Sequence, residues 1–265
     1  MREVAPARDR RLGARIAAPQ VWSHPLGGIE LSIVVPAFNE DGSIAACVRS
    51  HGQVARELTP RFEILVLDDG SEDATSTVLE GLRSEHPELR ILRHGSNEGI
   101  GHSLLDLYRA ARGTWIFFNA ADGQVPADEL RKLWLARGGH SLVVGRRSPR
   151  RDPPARIVIS TLYSLAVRAL FRIGVHDVDS VKLYLASALR RAWPTTESSF
   201  AEAEILIRLH ELGHEVAEVP IRHLPRSAGR AKGASPGIVV RALFDFAVFV
   251  LRHRVRTWLA RRDSY

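Results

Sequence analysis

What most constrains the fold of this chain is an alternation in its first half. "LSIVV" (31–35), "FEILVL" (62–67), "LRILR" (89–93), "TWIFF" (114–118) and "SLVVG" (141–145) are short, nearly unbroken apolar runs rich in Ile, Val, Leu and Phe. Runs of that kind suit strands covered on both faces, as in a parallel sheet. Stretches with helical spacing separate them. In "GHSLLDLYRAARG", Leu104, Leu107, Tyr108 and Ala111 recur at that spacing, and Gly113 is placed to stop the helix. The alternation predicts a Rossmann-like, doubly wound, mostly parallel α/β structure.

In open parallel sheets ligands bind at the carboxyl ends of the strands. Four of those ends read "PAFNE" (36–40), "DDGSED" (68–73), "NAADGQ" (119–124) and "GRR" (145–147). Three carry acids and the fourth carries arginines, which is more than ordinary loop chemistry at one strand end. The single cysteine, Cys47, excludes an internal disulfide and a cysteine-rich zinc site. It is expected as a small buried hydrophobe, compatible with a reducing compartment. A formal charge of +7 suits nucleic acid, an anionic membrane or a phosphorylated substrate. Few aromatics are interleaved with the basic residues and no nucleic-acid motif appears, so nucleic acid is not the expected partner. Residues 1–28 read as a mobile basic tail without a signal peptide. No stretch meets the requirement of roughly 20 mostly apolar residues for a spanning helix. The nearest are 156–175, bracketed by Arg156 and Arg168, and 238–262, interrupted by Arg241 and Asp245.

Taken in order, these segments resemble the family-2 glycosyltransferases of GT-A fold, and within them the dolichyl- or polyprenyl-phosphate glycosyltransferases. "LSIVVPAFNE" is similar to the opening strand and P-x-Y-N-E turn, and "ILVLDDGSEDAT" to V-D-D-x-S-x-D-x-T. "NEGIGHS" is similar to N-x-G-x-G-x-A, "AADGQ" to D-A-D-x-Q, and "VVGRRSPRRD" to the G-x-R segment. "HDVDSVKLY" resembles T-D-x-x-S-G-F-K/R, and "EVPIRHLPRSAGRAK" the E-V-P-I…R-x-x-G-x-S-K ending. The resemblance covers roughly residues 30 to 235 and implies a transferase unit at 29–232 with an amphipathic basic helical extension at 233–265.

It also implies roles. Pro36, Ala37, Phe38, Glu40 and Asp68 match the positions that cradle the nucleotide base of a UDP- or GDP-sugar. A carboxylate there can accept a ring N–H of uracil or guanine. Asp122 matches the metal-binding acid for Mg²⁺ or Mn²⁺, with Gln124 beside the cation and Ala121 next to it on the donor side. Such hard cations often take only one or two carboxylates, the rest of the shell being phosphate and water. Ala120 departs from the pattern, which has an acid there; the neighbouring Asn119 should point the other way along an extended segment. Asp69 and Asp73 are expected to organise the turn and cap the next helix. Arg147 and Arg226 should meet phosphate, as guanidinium does well, with Lys232 on a segment that closes over the donor. Arg146, Arg150 and Arg151 read as a solvated basic face.

Two acceptors are distinguished by whether they need a base. A sugar hydroxyl needs a carboxylate to take its proton, and Glu202 sits near the position of that base in hydroxyl-using relatives. A lipid phosphate is already ionised. For it, Asp179 and Lys182 match the residues flanking the acceptor phosphate. The expectation is an inverting sugar transfer to a polyprenyl phosphate, made in the cytoplasm at the inner face of the membrane. The two amphipathic stretches would lie in the membrane interface, touching anionic lipid. A hydroxyl-directed transferase and a non-catalytic nucleotide-sugar-binding relative stay open, and a homo-oligomer is compatible with the sequence.

Overall fold

In the computed structural model, which describes residues 28–225 and 236–262, all five predicted runs are strands. They are β1 (Leu31–Ala37), β2 (Phe62–Asp68), β3 (Leu89–Arg93), β4 (Trp115–Phe118) and β5 (Leu142–Arg147). Two strands that the apolar-run pattern does not find, β6 (Lys182–Leu185) and β7 (Val216–Ile221), complete a seven-stranded sheet of order β3-β2-β1-β4-β6-β5-β7. β6 is short and begins with a lysine, so it reads as polar. β7 is a partly exposed edge strand, which is where its Pro220 is tolerated. β6 runs antiparallel to both neighbours and every other pairing is parallel. The carboxyl ends of six strands and the amino end of β6 therefore share one edge. The β1–β4 ladder ends at Val34, two residues before Pro36, while β2 still pairs with β1 as far as Ala37. Beyond Val34 the sheet opens on the β4 side.

The helices are α1 (Ile44–Leu58), α2 (Thr75–Leu82), α3 (Ile100–Ala110), α4 (Leu130–Leu135), α5 (Pro154–Phe171), α6 (Ala186–Arg191), α7 (Ala201–Glu211) and α8 (Pro236–Arg262). α1, α2 and α4 cover one face of the sheet around Ile33, Ile64 and Phe117. α3, α5, α6 and α7 cover the other around Leu65, Tyr108 and Tyr184. Each large side chain buried this way contributes about 1.5–3 kcal/mol relative to exposure. α8 is fastened through Phe246 and Phe249, whose rings meet Tyr163, Phe171 and Phe200 at centroid distances of 5.4–5.8 Å.

Two glycines that follow helices behave differently. Gly213 stops its helix: its φ is 75°, and the N–H of His214 reaches back to the Leu209 carbonyl at 3.0 Å. Gly113 does not, because α3 already ends at Ala110. Instead its N–H donates to Ser32 Oγ at 2.8 Å, and a Cβ there would lie 2.5 Å from the Ser32 nitrogen. Gly113 is there so that two backbones can touch. The expectation of no membrane-length helix is also corrected. By length and composition α5 is apolar enough to cross a membrane, although Ser160, Ser164, Val167 and Phe171 bury one of its faces.

Candidate active site

The shared strand edge holds a cleft of about 390 Å³, within the size range of small-molecule sites. The β1 exit contributes Pro36, Ala37, Phe38 and Glu40 to its lining. The β4 exit contributes Ala120, Ala121, Asp122 and Gln124, β5 contributes Arg147, and the entry to β6 contributes Asp179. Nine of the residues singled out from the sequence thus meet in one cleft at the ends of four separate strands.

Four of the sequence assignments change around the acids, and Arg150 is a fifth on the basic side. Asp68 is buried and does not line the cleft. Its carboxylate accepts the Ser71 N–H at 3.0 Å and the Ser76 hydroxyl, so it organises the β2–α2 turn. The neighbouring Asp69, expected in the turn, lines the cleft instead. It receives the N–H groups of Glu98 and Gly99, both at 2.9 Å, which tie the β3–α3 loop down beside it. His94 bridges Asp69 at 2.7 Å and Asp106 at 3.2 Å. Burial pulls the His94 pKa down, but the hydrogen bonds it donates to the two aspartates outweigh this and the net shift is upward. Asp73 does organise its turn, accepting the Thr75 N–H at 2.9 Å.

Lys182 and Glu202 are the third and fourth. Lys182 is 1% exposed and its Nζ donates to Glu202 Oε2 at 2.9 Å and to the Ser180 carbonyl at 3.0 Å. Glu202 also accepts from the hydroxyls of Tyr108 at 2.7 Å and Tyr184 at 3.1 Å. The pair is a closed polar network beneath the cleft and lines none of it. The adjacent Glu204 is likewise engaged. Burial favours its neutral form, but four hydrogen bonds from Thr195 and Thr196 outweigh this and lower its pKa. Arg226 and Lys232 lie outside the described residues.

Asp122 stands at the tip of a tight loop. Gly123 has φ 70°, and Gln124 donates its N–H to Asp122 Oδ1 at 3.1 Å. The loop is clamped from beneath. Asn119 points into the protein, as expected, and its Nδ2 donates to His51 Nε2 and to the Val125 carbonyl, both at 3.1 Å. His51 Nδ1 meets the Cys47 carbonyl at 2.8 Å, which leaves Nε2 to accept. Burial keeps the His51 pKa below its ordinary value. Cys47 is buried, as expected, and burial with Asp122 and Glu40 nearby raises its pKa to about 12, so it packs as a neutral thiol.

The basic side of the cleft is ordered by aspartates. Arg147 makes a bidentate pair with Asp177, Nε at 2.8 Å and Nη2 at 2.7 Å, and its Nη2 reaches the Asp179 carbonyl at 2.8 Å. Burial disfavours both charges, yet the pairing outweighs it: the Arg147 pKa rises and the Asp177 pKa falls. Arg150 is not a solvated residue; it holds Asp152 at 2.7 Å and Ser160 Oγ at 2.7 Å. Arg146 and Arg151 are exposed, as expected. Arg156, which sequence reading treated only as a break in an apolar run, lines the cleft from the first turn of α5. Its side chain is 32% exposed and its Asp152 contact is loose at 3.5 Å. His223, at the exit of β7, is a further lining residue that was missed with its strand. Its Nδ1 accepts the Arg151 N–H at 2.9 Å, and the next residue, Leu224, donates its N–H to the Gln124 carbonyl at 2.8 Å. Burial lowers the His223 pKa; Asp152 opposes this while Arg147 and Arg150 reinforce it.

A divalent cation fits this donor set. Among the described residues no three His, Cys, Asp or Glu side chains gather to form a protein cage. Asp122 and the Gln124 amide suit a hard ion that takes its remaining ligands from phosphate and water.

Sheet order, cleft position and loop chemistry define a GT-A fold. It is similar to glucosyl-3-phosphoglycerate synthase from Mycobacterium tuberculosis. In complex with phosphoglyceric acid that enzyme gives a TM-score of 0.65 at 20% identity, over 82% of this chain and 78% of that one. Its complex with Mn²⁺, UDP and glucosyl-3-phosphoglycerate gives 0.63 at 19%, over the same shares. The pattern of Glycosyl transferase family 2 matches residues 32–193, and the chain belongs to that family. Among curated relatives, it is 27% identical over 219 residues to an undecaprenyl-phosphate 4-deoxy-4-formamido-L-arabinose transferase of Pseudomonas fluorescens, over 81% of this chain. It is 28% identical over 242 residues to glycosyltransferase AglD of Haloferax volcanii, over 87% of this chain. The matched regions span 63% and 37% of those two proteins.

Proposed function

We propose that this chain transfers a sugar from a UDP- or GDP-sugar to a polyprenyl phosphate, with inversion at the anomeric carbon. One observation carries the choice of acceptor. Glu202, the carboxylate that a hydroxyl acceptor would need as base, is sealed in the network of Lys182, Tyr108 and Tyr184. An acceptor phosphate needs no base and needs cationic guidance, which Arg147 and the more exposed Arg156 supply at the cleft. In the reaction an acceptor phosphate oxygen bonds to C1 of the sugar as the bond from C1 to the donor's β-phosphate oxygen breaks. The electron pair leaves with the nucleoside diphosphate. Asp122 and Gln124 would hold a divalent cation, whose charge would offset that gathering on the diphosphate. Pro36, Ala37, Phe38 and Glu40 form the base side of the cleft and Asp69 joins them in place of Asp68. The names of the polyprenyl-phosphate relatives support the same acceptor class.

The outer surface of α5 supports a membrane-bound acceptor. Val158, Ile159, Leu162 and Leu165 are each more than half exposed on a helix whose first turn reaches the cleft. Val240, Leu243, Phe244 and Leu251 extend this apolar exposure onto α8, whose sequence ends in the basic "RVRTWLARR". Such a face suits peripheral contact with anionic lipid, on the cytoplasmic side where nucleotide sugars are made.

The test is turnover of UDP- and GDP-sugars with Mn²⁺, with polyprenyl phosphate or a soluble hydroxyl acceptor. Lipid-dependent turnover is expected, falling at least about a hundredfold in Asp122→Asn. Equal turnover with the hydroxyl acceptor would overturn the acceptor class. Donor binding without turnover on any acceptor would make the chain a binding protein.

A further inference from the structure

We propose that His223 binds the donor's diphosphate as a neutral hydrogen-bond donor through Nε2, and is not a ligand of the cation. The inference rests on the nucleotide-sugar reading of the cleft. His223 is 4% exposed and lines the cleft with Asp122, Gln124 and Arg147. A backbone N–H can only donate, so the Arg151 N–H at 2.9 Å fixes Nδ1 as an acceptor. A neutral imidazole carries one proton, which then sits on Nε2. A ring in that tautomer has no lone pair at Nε2 for a cation; ligation there would need the ring as an imidazolate. It does have an N–H for a phosphate oxygen, and no hydrogen-bond partner of Nε2 is found among the described residues. The backbone holds the ring from both sides. Arg151 follows β5, and Leu224, the next residue along, is tied to the loop of Asp122 at 2.8 Å. His223 thus joins the two halves of the cleft where a diphosphate would lie.

The test measures UDP binding by calorimetry with Mn²⁺, GDP in parallel, and Mn²⁺ binding without nucleotide by electron paramagnetic resonance, on the full chain. His223→Asn keeps an oxygen near the place of Nδ1, so it still accepts from Arg151, but removes the donor at Nε2. His223→Gln keeps an N–H near the place of Nε2. Diphosphate binding is expected to weaken about tenfold in the Asn variant and by less than about threefold in the Gln variant. Mn²⁺ binding without nucleotide should stay unchanged in both. Undiminished diphosphate affinity in His223→Asn overturns the proposal, and so does weakened Mn²⁺ binding without nucleotide. Imidazole ¹⁵N spectra of the unaltered chain give a test that needs no variant: the proton is expected on Nε2, and finding it on Nδ1 overturns the proposal. An unaltered chain that binds neither UDP nor GDP overturns the reading of the cleft, while the spectra still decide the tautomer.

Discussion

Asn119 stands beside Ala120, where family resemblance expects an acid, and its amide is engaged wholly inside the protein with His51 and Val125. It holds the loop that presents Asp122 and adds nothing to the cleft's charge. Asn119→Ala would leave the Val125 carbonyl and His51 Nε2 without their donor. A loss of about 1–3 kcal/mol is expected in urea denaturation, together with weaker Mn²⁺ binding as the loop loosens. Unchanged Mn²⁺ affinity with the stability loss intact would show that the clamp serves folding alone. At this scale the sequence was informative wherever a strand end delivers a side chain directly, as for Asp122 and Arg147. It misled at "DD". Two adjacent acids leave an extended strand on opposite sides, and the side taken by Asp69 depends on a loop 29–30 residues further along the chain: the Glu98–Gly99 N–H groups. His51 and His223 had no local signal at all, because what defines them is a partner on another element.

Among the elements, α7 and β6 are joined by a buried ion pair, Lys182 with Glu202. Removing one partner leaves a charge with too few compensating groups, so Lys182→Met should cost about 3–5 kcal/mol. Replacing both, as Lys182→Met with Glu202→Leu, should recover part of that loss, measured by thermal and urea unfolding. If Lys182→Met keeps full stability and loses only use of the lipid acceptor, the lysine serves the cleft after all. α5 carries a different prediction. Serine at Val158, Ile159, Leu162 and Leu165 together should weaken sedimentation with phosphatidylglycerol-containing vesicles at least about tenfold, with UDP affinity unchanged. The five apolar strands and both long helical stretches were legible because burial on two faces, or one long apolar stripe, writes itself into consecutive residues. β6 was not, since its lysine is neutralised by a glutamate twenty residues on, and β7 was not, since an edge strand needs only half its surface apolar.

For the whole molecule, stability should depend on pH through His94. Its folded pKa is raised above the ordinary value, so its contribution is full below the unfolded value near 6.5 and is lost as pH rises through the folded one. His51 and His223, whose pKa values are lowered, act in the opposite sense: their contribution is full above about 6.5 and is lost as pH falls through their folded values. Thermal midpoints measured from pH 5 to 9 should therefore fall away on both sides. His94→Gln should flatten the alkaline side only; an unaltered alkaline decline in that variant would assign it to other groups.

The reversed strand has one more consequence. Since β6 alone enters the sheet at the edge where its neighbours leave it, the link from α5 at 172–181 arrives at the rim opposite the β1 and β2 turns. Insertions or exchanges in that link can therefore remodel one wall while the other keeps its shape, so on the proposed reading a lineage built on this scaffold is free to change what receives the sugar without relearning how to hold what supplies it.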